Sequence, residues 1–309
     1  MTISTSPTAP LVVIIGITGK QGGSVVRALI ESPKPYRIRG LTRNKEKPAA
    51  VEYTRLGVQM VAVAVTVGNE ENVKKAFDGG EIIFEVAEGK LMIDTALQTG
   101  TVSLFIWSAL ESFGTLSSGR IPNVKFFDSK AIITEYARAS GIPLAIVQAG
   151  YYASNILDIC AMGSALRPQD DGSFVFSLPM KGSTLLPVID VERDYGLYVR
   201  AVIEEPGFGA GCEVLSGRLT SMEDMIAGLG EATGKKITYR QITREEFVNV
   251  FPFKAMAIPL ADMYQAYEQI GYYGKKPVTD ENILARKIRS WGEFLEATPD
   301  LAHFVTSKH

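Results

Sequence analysis

Histidine is nearly missing from this chain. The 309 residues include two histidines, His303 and His309, and both lie close to the C-terminus. A Ser-His-Asp hydrolase, a Cys-His protease and a His-ligated metal centre each need an imidazole inside the fold. The sequence therefore argues against these three kinds of site, unless the C-terminal tail folds back onto the body of the protein.

Cysteine, unbalanced charge and long apolar runs are also scarce. Because Cys160 and Cys212 stand in unrelated contexts, neither a disulfide framework nor a zinc site is expected, and a reducing cytosol is the default location. The net charge is −2 with no basic stripe, which argues against a nucleic-acid partner. No apolar run approaches the roughly 20 residues of a membrane span, and the N-terminus lacks the features of a signal peptide. We therefore expect a cytoplasmic protein that binds neither membranes nor nucleic acid.

Short apolar runs alternate with helical segments in the first half of the chain. Strands are predicted at 11–15, 36–41, 58–63, 81–85, 103–107 and 143–148, and helices at about 21–32, 46–56, 70–78, 90–99 and 124–140. The first run, LVVII, is continuously apolar, as in a central parallel strand that is buried on both faces. This alternation predicts an α/β fold with a doubly wound parallel sheet. The pattern loosens after residue 150.

Three glycines follow the first predicted strand in a G-x-x-G-x-x-G spacing, at Gly16, Gly19 and Gly22. The first glycine permits a sharp exit from the strand, and the second lets the backbone approach a pyrophosphate. The third lets the helix lie close to the sheet, so that its N-terminal amides face the phosphates. The position of this turn between a strand and a helix predicts a dinucleotide site rather than a purely structural turn.

The second predicted strand ends in GLTRN, where NAD-binding proteins usually place an acidic residue. Here the chain has Arg43, whose guanidinium can hold the 2′-phosphate of NADP through paired hydrogen bonds. Lys20 in the glycine turn can add positive charge. The sequence thus favours NADP(H) over NAD(H), although Arg43 can also be read as a solvated surface residue.

Five motifs follow one another along the chain, namely GITGKQGGSVVRAL, LTRNKEKPAA, FIWSALES, FDSKAIITEYARASGIPLAIVQAGYYASN and VIDVERDYG. In this order they resemble the NmrA-like family, whose members are atypical relatives of the short-chain dehydrogenases. The resemblance implies a Rossmann-type domain at residues 1–150, with a returning segment near 185–205. It also implies a smaller α+β substrate lobe at 151–309. Family members include redox-sensing regulators and enzymes, many of the latter in fungal secondary metabolism.

The resemblance also implies roles for individual residues. The phosphate turn would comprise Gly16, Thr18, Gly19, Lys20, Gln21 and Gly22, with Arg43 on the 2′-phosphate. The remaining cofactor contacts would come from Ala87, Ser108, Lys130, Tyr151 and Asn155. Lys130 would reach the nicotinamide ribose, and Tyr151, Tyr152 and Asn155 would border the nicotinamide and the substrate.

The chain departs from short-chain dehydrogenases where their proton-donating tyrosine would stand, because Phe126 occupies that position four residues before Lys130. Three explanations are open. Another group, namely Lys130, Tyr151 or Tyr152, supplies the proton. Alternatively, the electrophile is already activated, as an iminium ion is, and needs no proton on the reacting carbon. The third explanation is that no hydride transfer occurs and the protein senses the NADPH/NADP ratio.

Carboxylates near the expected cleft help to distinguish these three explanations. Glu88 and Glu111 follow the ends of two predicted strands, where a carboxylate can stabilise a developing cation. We assign Glu88 to catalysis together with Lys130 and Tyr152, while Glu111 is more simply a solvated loop residue. Glu85, inside the preceding strand, can equally pair with a lysine.

The second half of the chain is rich in aromatic and methionine residues that can line an apolar pocket, although any one of them can equally belong to the core of this region or to a partner interface. They are Tyr151, Tyr152, Phe174, Phe176, Phe251, Phe253, Met256, Met263, Tyr264 and Tyr267. The expected function is therefore that of an NADP(H)-dependent oxidoreductase acting on a medium-sized apolar, alkaloid-like small molecule. The reacting group would be an imine or a conjugated carbonyl, with or without coupled isomerisation or cyclisation. A non-catalytic NADP(H) sensor that binds a partner protein is the alternative, and both a monomer and a homodimer are open.

Overall fold

The computed structural model describes residues 3–86, 89–162 and 165–306, and its first half has the predicted alternation. In chain order it contains β1 (Leu11–Ile15), α1 (Lys20–Ile30), β2 (Arg37–Thr42), α2 (Pro48–Arg55), β3 (Gln59–Ala62), α3 (Glu70–Phe77), β4 (Ile82–Glu85), α4 (Gly89–Thr99), β5 (Leu104–Trp107), α5 (Phe113–Leu116), α6 (Lys125–Ser140) and β6 (Leu144–Gln148). All six predicted strands and five predicted helices are present, with ends shifted by no more than two residues. The short helix α5 was not predicted.

The second half consists of shorter strands and further helices. They are β7 (Tyr151–Tyr152), α7 (Ser154–Ala161), β8 (Leu166–Pro168), β9 (Phe174–Leu178), β10 (Leu185–Ile189), α8 (Val191–Glu204), β11 (Glu213–Leu215), β12 (Arg218–Ser221), α9 (Met222–Thr233), β13 (Ile237–Gln241), α10 (Arg244–Val250), α11 (Lys254–Gln269), α12 (Trp291–Glu296) and α13 (Leu301–Thr306). Within the described part of the chain, no helix has both the length and the apolar character needed to cross a membrane.

Seven parallel strands form the central sheet in the order β11-β6-β5-β4-β1-β2-β3. Six come from the first half, and β11 adds a seventh at the edge. Along β1, Leu11, Val13 and Ile15 enter the hydrophobic cluster on one face of the sheet, and Val12 and Ile14 enter the cluster on the other. Both faces are therefore covered, which explains the continuous apolar run and confirms a Rossmann-type doubly wound sheet.

Helix α8, from the second half of the chain, packs against α1. The contact is close at Gly196, where an added Cβ would lie 2.1 Å from the carbonyl oxygen of Ser24. The Gly196 N–H also donates to Ser24 Oγ at 2.9 Å. A side chain larger than hydrogen at this position would push the two helices apart.

A second, smaller region contains two three-stranded sheets, in the orders β12-β10-β7 and β13-β9-β8. Its buried core includes Phe176, Leu178, Met222 and Ile226, and the first half of the chain contributes Phe127 to the same cluster. This shared core joins the smaller region to the carboxyl ends of the central strands, so that a cleft lies between them.

Candidate functional site

The glycine turn has the geometry that its spacing predicts. Gly16 adopts a φ of +65°, which side chains disfavour. A Cβ on Gly22 would lie 2.4 Å from the Gly16 carbonyl oxygen, so only glycine lets the helix start this close to the strand. No side chain caps α1 at Gly19, and its first turn carries no acidic residue. The amide end of α1 is therefore open to an anionic group.

Arg43 follows β2 directly and is exposed. Because β2 pairs in parallel with β1, Arg43 lies at the same sheet edge as the glycine turn. Its guanidinium has no hydrogen bond or ion pair with any residue that the structure describes. Lys20, by contrast, donates from Nζ to Ser154 Oγ in α7 at 3.0 Å, and so ties the turn to the smaller region. Arg43 is therefore an exposed cation without a partner among the described residues.

The amine of Lys130 lies where the carboxyl ends of β4 and β5 meet. Its Nζ donates to the Val86 carbonyl oxygen at 2.8 Å and to the Ser108 carbonyl oxygen, and it lies 4.6 Å from the centre of the Trp107 ring. Burial lowers the pKa of Lys130 to about 8, and the charge of Glu85, fully buried at the end of β4, opposes this shift. The amine is thus charged at neutral pH and close to its titration range.

A hydrogen bond between Gln21 and Tyr152 joins the start of α1 to the smaller region. Gln21 Nε2 donates to the Tyr152 hydroxyl oxygen at 2.7 Å. The hydroxyl oxygen acts as acceptor in this bond, which leaves its proton free to be donated elsewhere. Burial raises the pKa of Tyr152, and the bond from Gln21 opposes this shift. Gln21 Oε1 is buried without a hydrogen-bond partner among the described residues, so a polar ligand group can satisfy it.

A cavity of about 500 Å³ lies in the cleft. Its polar lining residues are Gln21, Ser108, Lys130, Tyr152, Asn155 and Asp158. Most of the rest of the lining is apolar, and its aromatic walls are formed by Phe126, Phe127, Tyr151, Phe247, Phe251, Tyr264, Tyr267 and Tyr272. Ring contacts fix these walls, with Tyr267 and Tyr272 stacked at 5.0 Å between centroids. The cavity has the size and lining of a small-molecule site.

Six of the ten residues predicted to line a pocket do so: Tyr151, Tyr152, Phe251, Met263, Tyr264 and Tyr267. Phe174 and Phe176 do not line it but pack in the core of the smaller region, which is the other role that the sequence left open. Phe253 and Met256 do not line it either, and they are 57% and 43% exposed at the start of α11. The prediction missed other lining residues, among them Phe247 on α10 and Leu260 on α11. Their spacing could have identified them, because Phe247 precedes Phe251 by four residues and Leu260 precedes Met263 and Tyr264 by three and four.

The remaining predicted residues divide into three groups. Phe126 lines the cavity one helical turn before Lys130, so no hydroxyl is present where the usual donor would be. Glu111 accepts hydrogen bonds from Gln148 Nε2 at 2.6 Å and from Lys276 Nζ at 2.7 Å. The ammonium group of Lys276 therefore balances the negative charge of Glu111. Ala87 and Glu88 lie outside the described residues.

A Rossmann-type sheet with an open helix end, beside a large apolar cavity, defines a protein of the nucleotide-binding α/β class. The sequence profile of the NmrA-like family matches residues 8–295, and the chain belongs to this family.

Two curated relatives show different activities within the family. The NmrA-like family domain-containing oxidoreductase lnaB of Aspergillus flavus is 27% identical over 263 residues, which cover 77% of each chain. The nitrogen metabolite repression protein nmrA of Emericella nidulans is 23% identical over 251 residues, covering 77% of this chain and 70% of that one. Family membership is therefore compatible with both an enzyme and a regulator.

Two solved structures share the fold. The NADPH-dependent quinone oxidoreductase QOR2 of Escherichia coli, complexed with NADPH, has a TM-score of 0.74 at 19% identity and covers 92% of this chain and 98% of its own. The negative transcriptional regulator NmrA in complex with NADP has a TM-score of 0.70 at 19% identity, covering 96% of this chain and 94% of its own. At these identities the likeness concerns the fold.

Proposed function

We propose that this protein is an NADP(H)-dependent oxidoreductase that reduces a medium-sized apolar metabolite inside the cavity. The observation that carries the proposal is the continuity of the cavity, which extends from Lys130, Ser108 and Gln21 at the sheet to the aromatic walls. Hydride donor and acceptor can thus meet in one space with a mainly apolar lining. The oxidoreductases among the relatives and the NADPH complex of a structural neighbour support the same assignment.

The residues present fit an NADP(H) molecule. The open end of α1 and the close turn at Gly16 and Gly22 would hold the pyrophosphate, with Thr18 and Gly19 in the same turn. Arg43 would bind the 2′-phosphate, and the unsatisfied Gln21 Oε1 offers an acceptor inside the cavity. When bound, the cofactor would supply a hydride from its nicotinamide. Residues 1–150 and the segment near 185–205 would hold it, and residues 151–309 would form most of the substrate site.

Proton transfer would fall to Tyr152, with Lys130 as the charged neighbour that binds the nicotinamide ribose. Gln21 fixes the Tyr152 oxygen as an acceptor, so the hydroxyl proton can be given to a forming alkoxide or enolate. Phe126 leaves the usual donor position apolar. This arrangement suits a conjugated carbonyl, for which Tyr152 donates, or an iminium carbon, which needs no proton. The aromatic walls would also hold an alkaloid-like product in a folded shape during isomerisation or cyclisation.

A redox-sensing regulator is the second candidate. Phe126 in place of the proton-donating tyrosine and the similarity to nmrA both favour it. Such a protein would bind NADP(H) without turnover and would present its smaller region to a partner protein.

The deciding experiment uses NADPH deuterated at nicotinamide C4 on each face in turn. The purified protein is incubated with this cofactor and metabolite extract from its source, and with quinones as defined acceptors. Products are analysed by mass spectrometry, and boiled protein is the control. Deuterium in a new product would establish reduction and identify the face of hydride transfer. A changed metabolite without deuterium would indicate isomerisation. Tight NADPH binding with no product would refute the enzyme and favour the regulator.

A further inference from the structure

We propose that Asp158 is the binding site for a positive charge on the substrate, which is therefore a cationic or readily protonated nitrogen compound. This inference rests on the proposed function, because it names the substrate class for the same cavity. Among the described lining residues, Lys130 and Asp158 are the two that carry a formal charge. Lys130 lies at the sheet end with its amine bonded to two carbonyl oxygens, and Asp158 belongs to α7.

Helix geometry places Asp158 on the cavity side of α7. Asn155, Asp158, Ile159 and Met162 all line the cavity, and their spacing of i, i+3, i+4 and i+7 is one face of a helix. Asp158 lies one turn after Asn155, and Ile159 and Met162 add apolar surface beside it. A ligand in contact with this face would meet one carboxylate, one amide and two apolar side chains.

Asp158 is exposed, and its carboxylate makes no hydrogen bond or ion pair with any residue of the described ranges. It also borders a second cavity that is lined by four arginines. Three of these have carboxylate partners, since Arg193 and Arg286 pair with Asp194 and Arg289 pairs with Asp190. The fourth, Arg27, donates to the Glu192 carbonyl oxygen. None of the four is paired with Asp158, so its carboxylate is open to a ligand.

The aromatic walls of the cavity also favour a positively charged ligand. Rings of Phe, Tyr and Trp attract cations through the negative potential of their faces. A neutral apolar ligand would gain from the rings by packing alone. A cationic ligand would gain in addition from the ring faces and from an ion pair with the exposed Asp158 carboxylate, so the cavity should bind a cation more tightly than a neutral ligand of the same shape.

The test measures binding rather than turnover, so that it does not depend on catalysis. The probes are crystal violet, a cationic triarylmethane dye, and its uncharged leuco form, which share one carbon and nitrogen skeleton near neutral pH. Binding is titrated for the wild type, Asp158→Asn and Glu192→Gln. Glu192 is an exposed acid that lines the second cavity but not the first, so its variant loses the same charge away from the proposed site. NADPH titration of each variant checks that the fold is kept.

We expect Asp158→Asn to weaken binding of the cation about twofold to fivefold, because the carboxylate is exposed, with the leuco form unchanged and Glu192→Gln like the wild type. Equal losses for both dyes would make Asp158 a packing residue and overturn the proposal. Equal losses in both variants would reveal only a general charge effect, which also overturns it. A wild type that binds the leuco form as tightly as the cation, or binds neither dye, would refute it as well. If the wild-type protein does not bind NADPH, the proposed function is refuted instead.

Discussion

Replacing Arg43 by glutamine should reduce the affinity for NADPH and leave that for NADH nearly unchanged. The guanidinium is exposed and has no carboxylate partner among the described residues, so its removal breaks no internal ion pair. The variant should therefore fold normally, and any loss of binding should report on the ligand phosphate alone.

The size of this loss follows from the exposure of Arg43. A hydrogen bond to a charged group contributes about 1.5–3 kcal/mol, and charge pairs in contact with solvent lie at the lower end. A value of about 1.5–2 kcal/mol corresponds to roughly a 10–30-fold increase in the Kd for NADPH. NADH lacks the 2′-phosphate, so its Kd should change less than about twofold.

The assay is a titration of each nucleotide by its fluorescence, at low and at high salt. Lys45→Gln is the matched control, because Lys45 is exposed in the same loop and its removal lowers the net charge equally. The NADPH affinity of the wild type should depend on salt more steeply than that of Arg43→Gln. Equal losses for NADPH and NADH, or an equal effect of Lys45→Gln, would refute the assignment of Arg43 to the 2′-phosphate.

Three further predictions concern the turn and the cavity. Gly22→Ala places a methyl group 2.4 Å from the Gly16 carbonyl oxygen and should lower the free energy of unfolding by about 1–3 kcal/mol in urea titrations. The control variant Gly292→Ala has open space around the new methyl group and should not lower it. Equal losses of stability in the two variants would contradict the predicted clash. Because the buried amine of Lys130 is protonated below a pKa of about 8, NADPH affinity should fall as the pH rises through that value. Lys130→Met should abolish this pH step, and an unchanged step would assign it to another group. Tyr152→Phe should slow reduction of a conjugated carbonyl by roughly a hundredfold or more while NADPH binding persists, and undiminished turnover would exclude it as proton donor.

Local patterns in the sequence were sufficient to predict much of the fold. The six strands and the helices between them follow from apolar runs and their period, because a parallel strand covered on both faces must be apolar throughout. The turn at Gly16 and Gly22 is similarly local, since its tight geometry needs glycine at positions close together in the chain. Arg43 could be placed at the sheet edge because it directly follows a strand end.

Some aspects of the site depend on contacts between distant parts of the chain. No local pattern predicts that Gln21 bonds to Tyr152, because the two residues are 131 positions apart. Nor could composition distinguish Phe176, which fills the core of the smaller region, from Phe247, which lines the cavity. Both are buried aromatic residues, and only the packing of their elements decides which of them meets the open space.

Residue types and short spacings were thus enough to predict the Rossmann-type class, the glycine turn and a phenylalanine, Phe126, at the usual position of the proton donor. These features are set by residue type and by neighbours along the chain. Only the folded chain shows which residues surround the cavity, that Glu111 pairs with Lys276, and that Asp158 and Lys130 line the same space. Such features arise where helices and strands from separate segments meet, and the free energy of that packing depends on the whole fold rather than on any one stretch of sequence.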